Sequence, residues 1–272
     1  FSSAKLLATR LLTETRRSEQ QIRLQQFSTP LPYAALVTRA AAIRKGETVL
    51  EPSAGTGALA AFVTCAGGQV MLNEIDPFRR ALLGAVFQTD VTGFDGEHID
   101  DLLANPVLPS VVVMNPPFAS SVDRSRDKHI AAKHLISAAK RLAPGGRLVA
   151  IMPMWFTLDR DAAHWGRVGG IVTPRLALTI PGHVYRKLGT TVETQLMVFD
   201  KVQEEIEIVR AMVDDLDAAR QIIDDIAATR TATPSIQTGA QFRTGSRRVG
   251  VPVARQRPIA QAASAKPKSH AA

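Results

Sequence analysis

Short apolar runs alternate with longer segments of helical periodicity through most of this 272-residue chain. The short runs are rich in β-branched residues and predict seven strands, at Thr48–Glu51, Gln69–Asn73, Phe87–Asp90, Ser110–Met114, Arg147–Met152, Leu176–Ile180 and Thr194–Asp200. Helix-length segments separate most of them, for example residues 58–66, 77–86 and 128–142. Strand, helix, strand in succession predicts an α/β fold, a Rossmann-like and mostly parallel seven-stranded sheet with helices on both faces.

The segments on either side of this alternating region have different patterns. Residues 1–24 carry one apolar stripe among charges, which predicts an N-terminal helix before the main domain at 25–201. Apolar residues at three- and four-residue steps predict an acidic amphipathic helix over 202–229 that packs on the body or on a partner. Residues 230–272 lack periodicity and predict a basic, disordered tail or linker.

Charge, cysteine content and hydropathy limit the kinds of partner, metal site and membrane contact that this chain can have. The net charge is +8, but no acidic residue follows Asp225, so the excess lies in the tail and residues 1–225 are balanced. The tail is therefore either a solvated linker or a nucleic-acid contact arm. Cys65 is the one cysteine and the six histidines lack metal-ligand spacing, so we expect no disulfide and no metal. No apolar run reaches the length of a membrane span, so we expect a cytoplasmic protein that does not contact membranes.

The first strand ends in the glycine-rich stretch "EPSAGTG", residues 51–57. Gly55 and Gly57 allow a tight turn and a close approach of a ligand to the backbone, at the N-terminus of the next helix. The same stretch also fits the dinucleotide-binding pattern, with Glu74 nineteen positions after Gly55. The loop alone therefore leaves a nicotinamide enzyme open.

Acidic residues also stand at the ends of the next two predicted strands. Glu74 in "MLNEIDP" could accept hydrogen bonds from both ribose hydroxyls of an adenosine-containing cofactor, with Ile75 against its base. Asp90 in "FQTDVT" could accept from an adenine amino group. The alternatives are an exposed acid at a strand end for Glu74 and a turn or helix-capping aspartate for Asp90.

The fourth strand ends in "NPPF". This stretch distinguishes a nicotinamide enzyme from other enzymes that bind an adenosine-containing cofactor. Asn115 supplies a side-chain carbonyl, and Pro117 forces Pro116 into an extended conformation that leaves the Pro116 carbonyl free. This pair of acceptors suits a planar amino group, and Phe118 offers a ring on which a base can stack. A nicotinamide-dependent dehydrogenase does not need this arrangement, and a structural Pro-Pro turn would need neither Asn nor Phe.

These motifs resemble those of the class I, S-adenosylmethionine-dependent N6-adenine DNA methyltransferases. The matching stretches are "EPSAGTG", "NEID", "TDV" and "NPPF", and "QQFSTP" at 25–30 looks like the segment of the family that contacts the methionine end of the cofactor. The position of "QQFSTP" before the glycines matches the gamma motif order. The stretch "IPGHVYRKLGTTVETQLMVFDK" looks like the C-terminal antiparallel strand hairpin of these enzymes.

The resemblance implies two sets of site residues and no metal. The residues implied to bind S-adenosylmethionine are Phe27, Ser28, Thr29, Pro30, Glu51, Ser53, Ala54, Gly55, Gly57, Glu74, Ile75, Asp90, Val91 and Asn115. The residues implied to receive the target base are Asn115, Pro116, Pro117 and Phe118.

The function implied by the resemblance is methyl transfer to the N6 amino group of adenine in DNA. More narrowly, "FSTPLPYAALVTRAA", "LEPSAGTGALA" and "KLGTTVETQLMVFDK" look like methylase regions found ahead of Strawberry-notch-type helicases on plasmids and mobile elements. Enzymes of this motif order usually carry a separate target-recognition domain, and none is recognisable after residue 201. We therefore expect either a helicase or another partner that supplies recognition, or a preferred substrate that is single-stranded or small. An RNA base amino-methyltransferase, or a silent cofactor-binding module that serves a DNA-processing partner, stays open.

Overall fold

The computed structural model describes residues 1–10, 29–104, 106–118, 127–180, 182, 193–204 and 206–230. Their strands are β1 (Thr48–Glu51), β2 (Gln69–Asn73), β3 (Val91–Thr92), β4 (Val111–Met114), β5 (Arg147–Pro153), β6 (Thr173–Ile180), β7 (Thr194–Asp200) and β8 (Val209–Met212). Their helices are α1 (Ser2–Arg10), α2 (Leu31–Ala41), α3 (Ala58–Cys65), α4 (Pro77–Phe87), α5 (Ile99–Leu102), α6 (Ile130–Arg141), α7 (Ala162–Gly169) and α8 (Leu216–Ala228), with a 3₁₀ turn at Gly96–His98. Across these ranges, no helix has both the length and the apolar composition that a membrane span needs.

The described strands form one sheet in the order β3-β2-β1-β4-β5-β7-β6-β8. Strand β7 runs antiparallel to both of its neighbours, and the other neighbouring pairs are parallel. The Rossmann-like sheet and the antiparallel β6–β7 pair are confirmed, with eight strands in place of seven. The strand order reverses between β1 and β4, and open α/β sheets bind ligands at such a point, outside the carboxyl ends of the strands. The loops after β1 and β4 therefore flank the expected crevice.

Apolar side chains bury both faces of the sheet. The four residues of β4 are all inaccessible to solvent, and they alternate between the two faces. Val111 and Val113 pack in the cluster that includes α2 and α3, whereas Val112 and Met114 pack in the cluster that includes α6. Each such side chain contributes about 1.5–3 kcal/mol by leaving water. The central strands are thereby fixed, and so are the loops that follow them.

The third strand does not lie where the sequence predicts it. Helix α4 continues through Phe87 and ends at Gln88, which adopts a left-handed conformation with φ 49°. The strand therefore begins at Val91, which pairs with Leu72 of β2. The predicted strand at 87–90 was wrong because Phe87 still belongs to the packed face of the helix, against Leu83 and Val91.

The acidic segment after β7 is also not one helix. Residues 209–212 form β8, which pairs in parallel with β6, and the helix covers only Leu216–Ala228. The alternation "EIEI" at 205–208 has the period of a strand rather than of a helix, and β6 offers an open edge to which a strand can add. At the N-terminus, α1 covers Ser2–Arg10, and the remainder of the predicted helix at 1–24 lies outside the described residues. So does the predicted tail, from residue 231 onward.

Candidate functional site

The loop after β1 folds back onto β2 and α4. Ala54 donates from its backbone to the carbonyl of Asn73 at 2.9 Å, and Gly57 donates to the carbonyl of Ala54 at 2.8 Å. Gly57 has φ 83°, and a Cβ at this position would lie 2.8 Å from Leu83 Cδ2. Glycine is therefore required both by the backbone conformation and by the packing of α4. The loop directs the chain into α3, whose first amides face the crevice side of the sheet.

Glu74 directly follows β2, and its side chain forms a hydrogen bond with the glycine-rich loop. Its Oε2 accepts a hydrogen bond from the backbone of Gly55 at 2.7 Å, and its Oε1 accepts one from the backbone of Asp76 at 2.9 Å. Burial raises the pKa of Glu74, and the two backbone donors act in the opposite direction. Each carboxylate oxygen keeps a further acceptor site. Glu74 can therefore hold the glycine-rich loop and still accept hydrogen bonds from a ligand.

Glu51, the last residue of β1, is a buried acid with an unused oxygen. The residue is 3% exposed, and within the described residues its Oε2 has no hydrogen-bond partner. Burial raises the pKa of this carboxyl well above its ordinary value, and a backbone hydrogen bond with Ala60 offsets part of that increase. A buried acceptor without a partner costs about 1–3 kcal/mol. A ligand that brings a cationic donor to Glu51 would remove that cost.

The residues at the end of β4 meet the segment that precedes α2. Asn115 donates from Nδ2 to the Oγ1 of Thr29 at 3.0 Å. Pro116 is buried, and the partly buried Phe118 contacts the apolar clusters on both faces of the sheet. The structure thus brings together Thr29 and Asn115, both predicted site residues. Phe27 and Ser28 lie outside the described residues.

Two of the predicted cofactor residues, Asp90 and Val91, lie at the start of β3 rather than after it. Asp90 directly precedes β3 and its side chain is exposed. Because Val91 pairs with Leu72, the second-last residue of β2, Asp90 lies close to the carboxyl end of that strand. Val91 is inside β3, and its side chain packs against the cluster around Leu72 and Leu83. The acid that does follow β3 is Asp95, whose Oδ1 accepts from the backbone of Glu97 at 3.0 Å. The sequence signal that could have found it is "VTGFDG", a short β-branched run followed by glycine and aspartate.

His134 fills the space beside the loop after β3. It is buried on α6, with Nδ1 3.4 Å from Ser53 Oγ and Nε2 3.7 Å from Asp95 Oδ1. Burial lowers its pKa to about 4, so the imidazole is neutral at physiological pH. A Cβ on Gly96 would lie 2.6 Å from His134 Nδ1. The imidazole therefore occupies the space between the loop after β1 and the loop after β3.

The other predicted cofactor residues lie along the same edge. Ile75 follows Glu74 and is 48% exposed, which leaves an apolar surface beside the carboxylate. Ser53 and Ala54 are part of the loop after β1, and Pro30 follows Thr29 at the start of α2. The carboxyl ends of β1, β2 and β4 therefore gather most of the described residues that the sequence assigns to one site.

Comparison with known proteins identifies the type of domain. Residues 34–156 match the sequence profile of the methyltransferase small domain family. The ribosomal RNA small subunit methyltransferase C of Chromohalobacter salexigens is 34% identical over 108 residues, which are 39% of this chain and 31% of that protein. The chain thus spans about a third of the length of this curated relative.

Solved structures share the fold at low sequence identity. The methyltransferase subunit of a type I restriction-modification system from Streptococcus thermophilus has a TM-score of 0.55 and 16% identity, over 76% of this chain and 54% of that one. The type IIG restriction endonuclease BpuSI has a TM-score of 0.55 and 18% identity, over 85% of this chain and 31% of that one. Together, the family match and the fold support an S-adenosylmethionine-dependent methyltransferase and indicate S-adenosylmethionine as the cofactor.

The site fits that cofactor on two independent observations. Glu51 Oε2, which has no hydrogen-bond partner among the described residues, suits the ammonium group of an amino acid. Glu74 keeps acceptor capacity for ribose hydroxyls, beside a glycine-rich loop whose backbone a ligand can approach closely.

Proposed function

We propose that this chain transfers a methyl group from S-adenosylmethionine to the exocyclic N6 amino group of adenine in DNA. The observation that carries the proposal is the hydrogen bond from Asn115 to Thr29. That bond commits the donor end of the Asn115 amide to the protein, which reserves the acceptor end, Oδ1, for a ligand. An acceptor at the carboxyl end of β4, next to the glycine-rich loop, suits a substrate amino group.

The Pro116 carbonyl and Phe118 complete the proposed base pocket. A proline at 117 holds Pro116 extended, so that its carbonyl becomes the second acceptor for an amino group with two hydrogens. Phe118 contacts both apolar clusters, which fixes its ring as a platform for a stacked base. A base within duplex DNA would have to leave the helix to reach this edge of the sheet, at a cost of a few kcal/mol.

The proposed chemistry requires little from the protein beyond position and charge. Bound S-adenosylmethionine supplies a methyl group on a positively charged sulfur. The amino nitrogen of adenine is a weak nucleophile because its lone pair is delocalised into the ring. Hydrogen bonds from its two hydrogens to Asn115 Oδ1 and to the Pro116 carbonyl favour a more tetrahedral nitrogen and align it for in-line displacement. A carbon–nitrogen bond replaces the carbon–sulfur bond, and the amino group releases one proton to water.

The acids at the ends of β1 and β2 position the cofactor in this proposal. Glu51 Oε2 would accept from the amino group of the methionine part, and Glu74 from the ribose hydroxyls. Ile75 would lie against the adenine ring of the cofactor. Asp90 and Val91 are kept as candidates for contact with the cofactor adenine, because Val91 pairs with Leu72 near the carboxyl end of β2.

A base in RNA is the second candidate substrate, because the curated relative is named as a ribosomal RNA methyltransferase. The amino-group chemistry at Asn115 would be the same for a guanine N2 or an adenine N6. The motif order, with "QQFSTP" ahead of the glycines, favours adenine in DNA. Target recognition by a helicase or another partner, as in the methylase regions of Strawberry-notch-type helicases, remains part of the proposal.

Transfer of radiolabel tests the proposal and its alternative together. The full chain is incubated with tritiated S-adenosylmethionine and with unmethylated single-stranded DNA, duplex DNA or ribosomal RNA. We expect label in DNA, loss of label with Asn115→Ala and partial activity with Asn115→Asp, which keeps an acceptor oxygen. Label in RNA alone would replace the first candidate with the second. Tight cofactor binding without transfer to any nucleic acid would leave a silent module and refute the proposed activity.

A further inference from the structure

Three side chains without a role in the proposed reaction meet near the carboxyl end of β5. His129 lies directly before α6, Asp161 directly before α7, and His164 in the first turn of α7. His129 Nδ1 lies 3.2 Å from Asp161 Oδ2, and His164 Nδ1 lies 2.8 Å from Asp161 Oδ1. Both imidazoles therefore direct the same ring nitrogen at one carboxylate.

The neighbouring rings hold this arrangement in place. The imidazoles of His129 and His164 are stacked, with centroids 4.8 Å apart and planes 19° apart. Trp155, in the segment after β5, packs edge-on against His129 with centroids 5.5 Å apart. Stacking and the shared contact with Asp161 therefore hold the two imidazoles side by side. Neutral imidazole is the form that binds metal ions.

The spacing of the three groups matches a first coordination sphere. One ligand atom from each residue can be chosen so that all three lie within 4.8 Å of one another. In a tetrahedral zinc site, ligand atoms at about 2.0–2.1 Å from the metal are about 3.3 Å apart. Small side-chain rotations would bring the three atoms to that separation. The Asp161 side chain is 6% exposed, and those of His164 and His129 are 17% and 32% exposed. The carboxylate is therefore buried, and solvent reaches the cluster from the side of His129.

We propose that His129, Asp161 and His164 bind a divalent transition-metal ion, with Zn²⁺ as the best fit. Two imidazole nitrogens and one carboxylate oxygen favour zinc over magnesium or calcium, which prefer oxygen ligands. A bound metal would take the place of the contacts between the two Nδ1 atoms and the carboxylate, and each neutral ring would then carry its proton on Nε2. Three protein ligands leave the fourth position to water or to an oxygen of a substrate.

The ion ties together two segments at the substrate side of the sheet. One is the start of α6, which follows the Asn115–Phe118 segment along the chain, and the other is the connection from β5 to α7. Trp155 of that connection and Phe118 pack against the same apolar cluster. The proposal does not depend on the proposed methyl transfer, because it rests on the geometry of the three ligands.

Calorimetric titration of the full chain with ZnCl₂, after treatment with a chelator and its removal, tests the site. We expect one saturable site of micromolar or tighter affinity, and affinity at least tenfold weaker in His129→Gln and in His164→Gln, since each removes one ligand. His98→Gln is the matched control, because His98 is exposed and outside the cluster, and it should bind zinc as the wild type does. MgCl₂ should give no comparable heat.

A second measurement separates loss of the site from loss of the fold. Cobalt(II) at the same site should show the intense visible absorption of a four-coordinate ion in the wild type and in His98→Gln, but not in either ligand variant. Thermal unfolding of the metal-free variants should match that of the metal-free wild type. Zinc affinity in the millimolar range, which would mean a hydrogen-bonded cluster only, overturns the proposal. So does unchanged affinity in both folded ligand variants, which would place the ion elsewhere.

Discussion

The Asn115 amide donates to the Thr29 hydroxyl at 3.0 Å, although 86 positions of sequence separate the two residues. This bond joins the carboxyl end of β4 to the segment before α2 and fixes which end of the amide faces a ligand. Thr29→Val removes the acceptor while it keeps the shape of the side chain, so Asn115 is free to rotate.

For Thr29→Val we expect kcat/KM for methyl transfer to fall about tenfold, because one net hydrogen bond contributes about 0.5–1.5 kcal/mol. Thr29→Ser restores the hydroxyl and should retain most of the activity. Steady-state transfer of tritium at several DNA concentrations measures both variants. Equal activity of the valine and serine variants would mean that Thr29 does not orient Asn115.

Replacing Glu51 with glutamine should raise the stability of the ligand-free protein and weaken cofactor binding. Its folded pKa is raised by burial, so the folded state binds more protons than the unfolded state above about pH 4.5, and its contribution to stability decreases as pH rises. Glu51→Gln removes that penalty. We therefore expect the thermal midpoint of the ligand-free variant to exceed that of the wild type by an amount that grows from about pH 5 to pH 8.

The same Glu51→Gln variant should bind S-adenosylmethionine more weakly. A hydrogen bond to a charged group contributes about 1.5–3 kcal/mol, which corresponds to at least a tenfold higher Kd. Calorimetry at neutral pH measures this effect. If the variant binds the cofactor as tightly as the wild type, Glu51 does not receive the cationic end of the ligand.

His134 should make the folded state sensitive to mild acid. Burial lowers its pKa from 6.5 to about 4, so between these values the unfolded state binds the additional proton and stability falls as pH falls. The loss attributable to His134 between pH 6.5 and pH 5 is roughly 2 kcal/mol. Denaturant unfolding at pH 7 and pH 5 should show a smaller decrease for His134→Gln than for the wild type.

The exposed His98 provides the comparison for that measurement. His98→Gln should keep the acid-dependent decrease of the wild type, because it leaves the buried His134 in place. A decrease of equal size in His134→Gln and the wild type would contradict a buried, neutral His134.

Arg147 is a structural residue despite its charge. It is fully buried, donates to both carboxylate oxygens of Asp200 at 2.7 and 2.9 Å, and donates to the Ala40 and Ile226 carbonyls at 3.2 and 3.0 Å. One side chain thus joins β5, β7, α2 and α8. Arg147→Met leaves the Asp200 carboxylate without its main partner and should lower the free energy of unfolding by about 3–5 kcal/mol.

Urea unfolding measures this loss. Arg220→Met is the matched control, since the Arg220 side chain is 48% exposed and its Nε lies 3.7 Å from Asp224, and its effect should stay within about 0.5 kcal/mol. The double variant Arg147→Met, Asp200→Leu should recover part of the loss, because a buried pair can be replaced by apolar packing. A small effect of Arg147→Met alone would show that the pair contributes little.

The periodicity of apolar residues was sufficient to predict the first two strands of the sheet. The runs at Thr48–Glu51 and Gln69–Asn73 became β1 and β2 with their predicted bounds, because apolar strands between helices can only be buried in a parallel sheet. Phe87 misled the prediction because its ring packs from a helix that a short apolar run does not distinguish from a strand. That error placed Asp90 after the third strand, whereas it directly precedes β3.

Sequence periodicity could not predict contacts between residues that are far apart along the chain. His134 is buried because the loop after β3 covers it, with Gly96 in close contact, and no local pattern in the sequence indicates that contact. His129 and Asp161 are 32 positions apart, and only the packing of the start of α6 on the β5–α7 connection brings them together. Thr29 and Asn115 were both predicted site residues through family resemblance, and the hydrogen bond between them required the fold.

The most direct test of the central claim is the identity of the methylated nucleoside. Unmethylated DNA is incubated with the wild-type chain and S-adenosylmethionine, digested to nucleosides and analysed by mass spectrometry beside a reaction with Asn115→Ala. We predict N6-methyldeoxyadenosine from the wild type, and a decrease of about 10²–10³-fold with the variant, since Asn115 supplies one of the two acceptors for the reacting amino group. A methylated product that is not an amino-methylated base, or equal yields from both proteins, would contradict methyl transfer to an amino group held by Asn115.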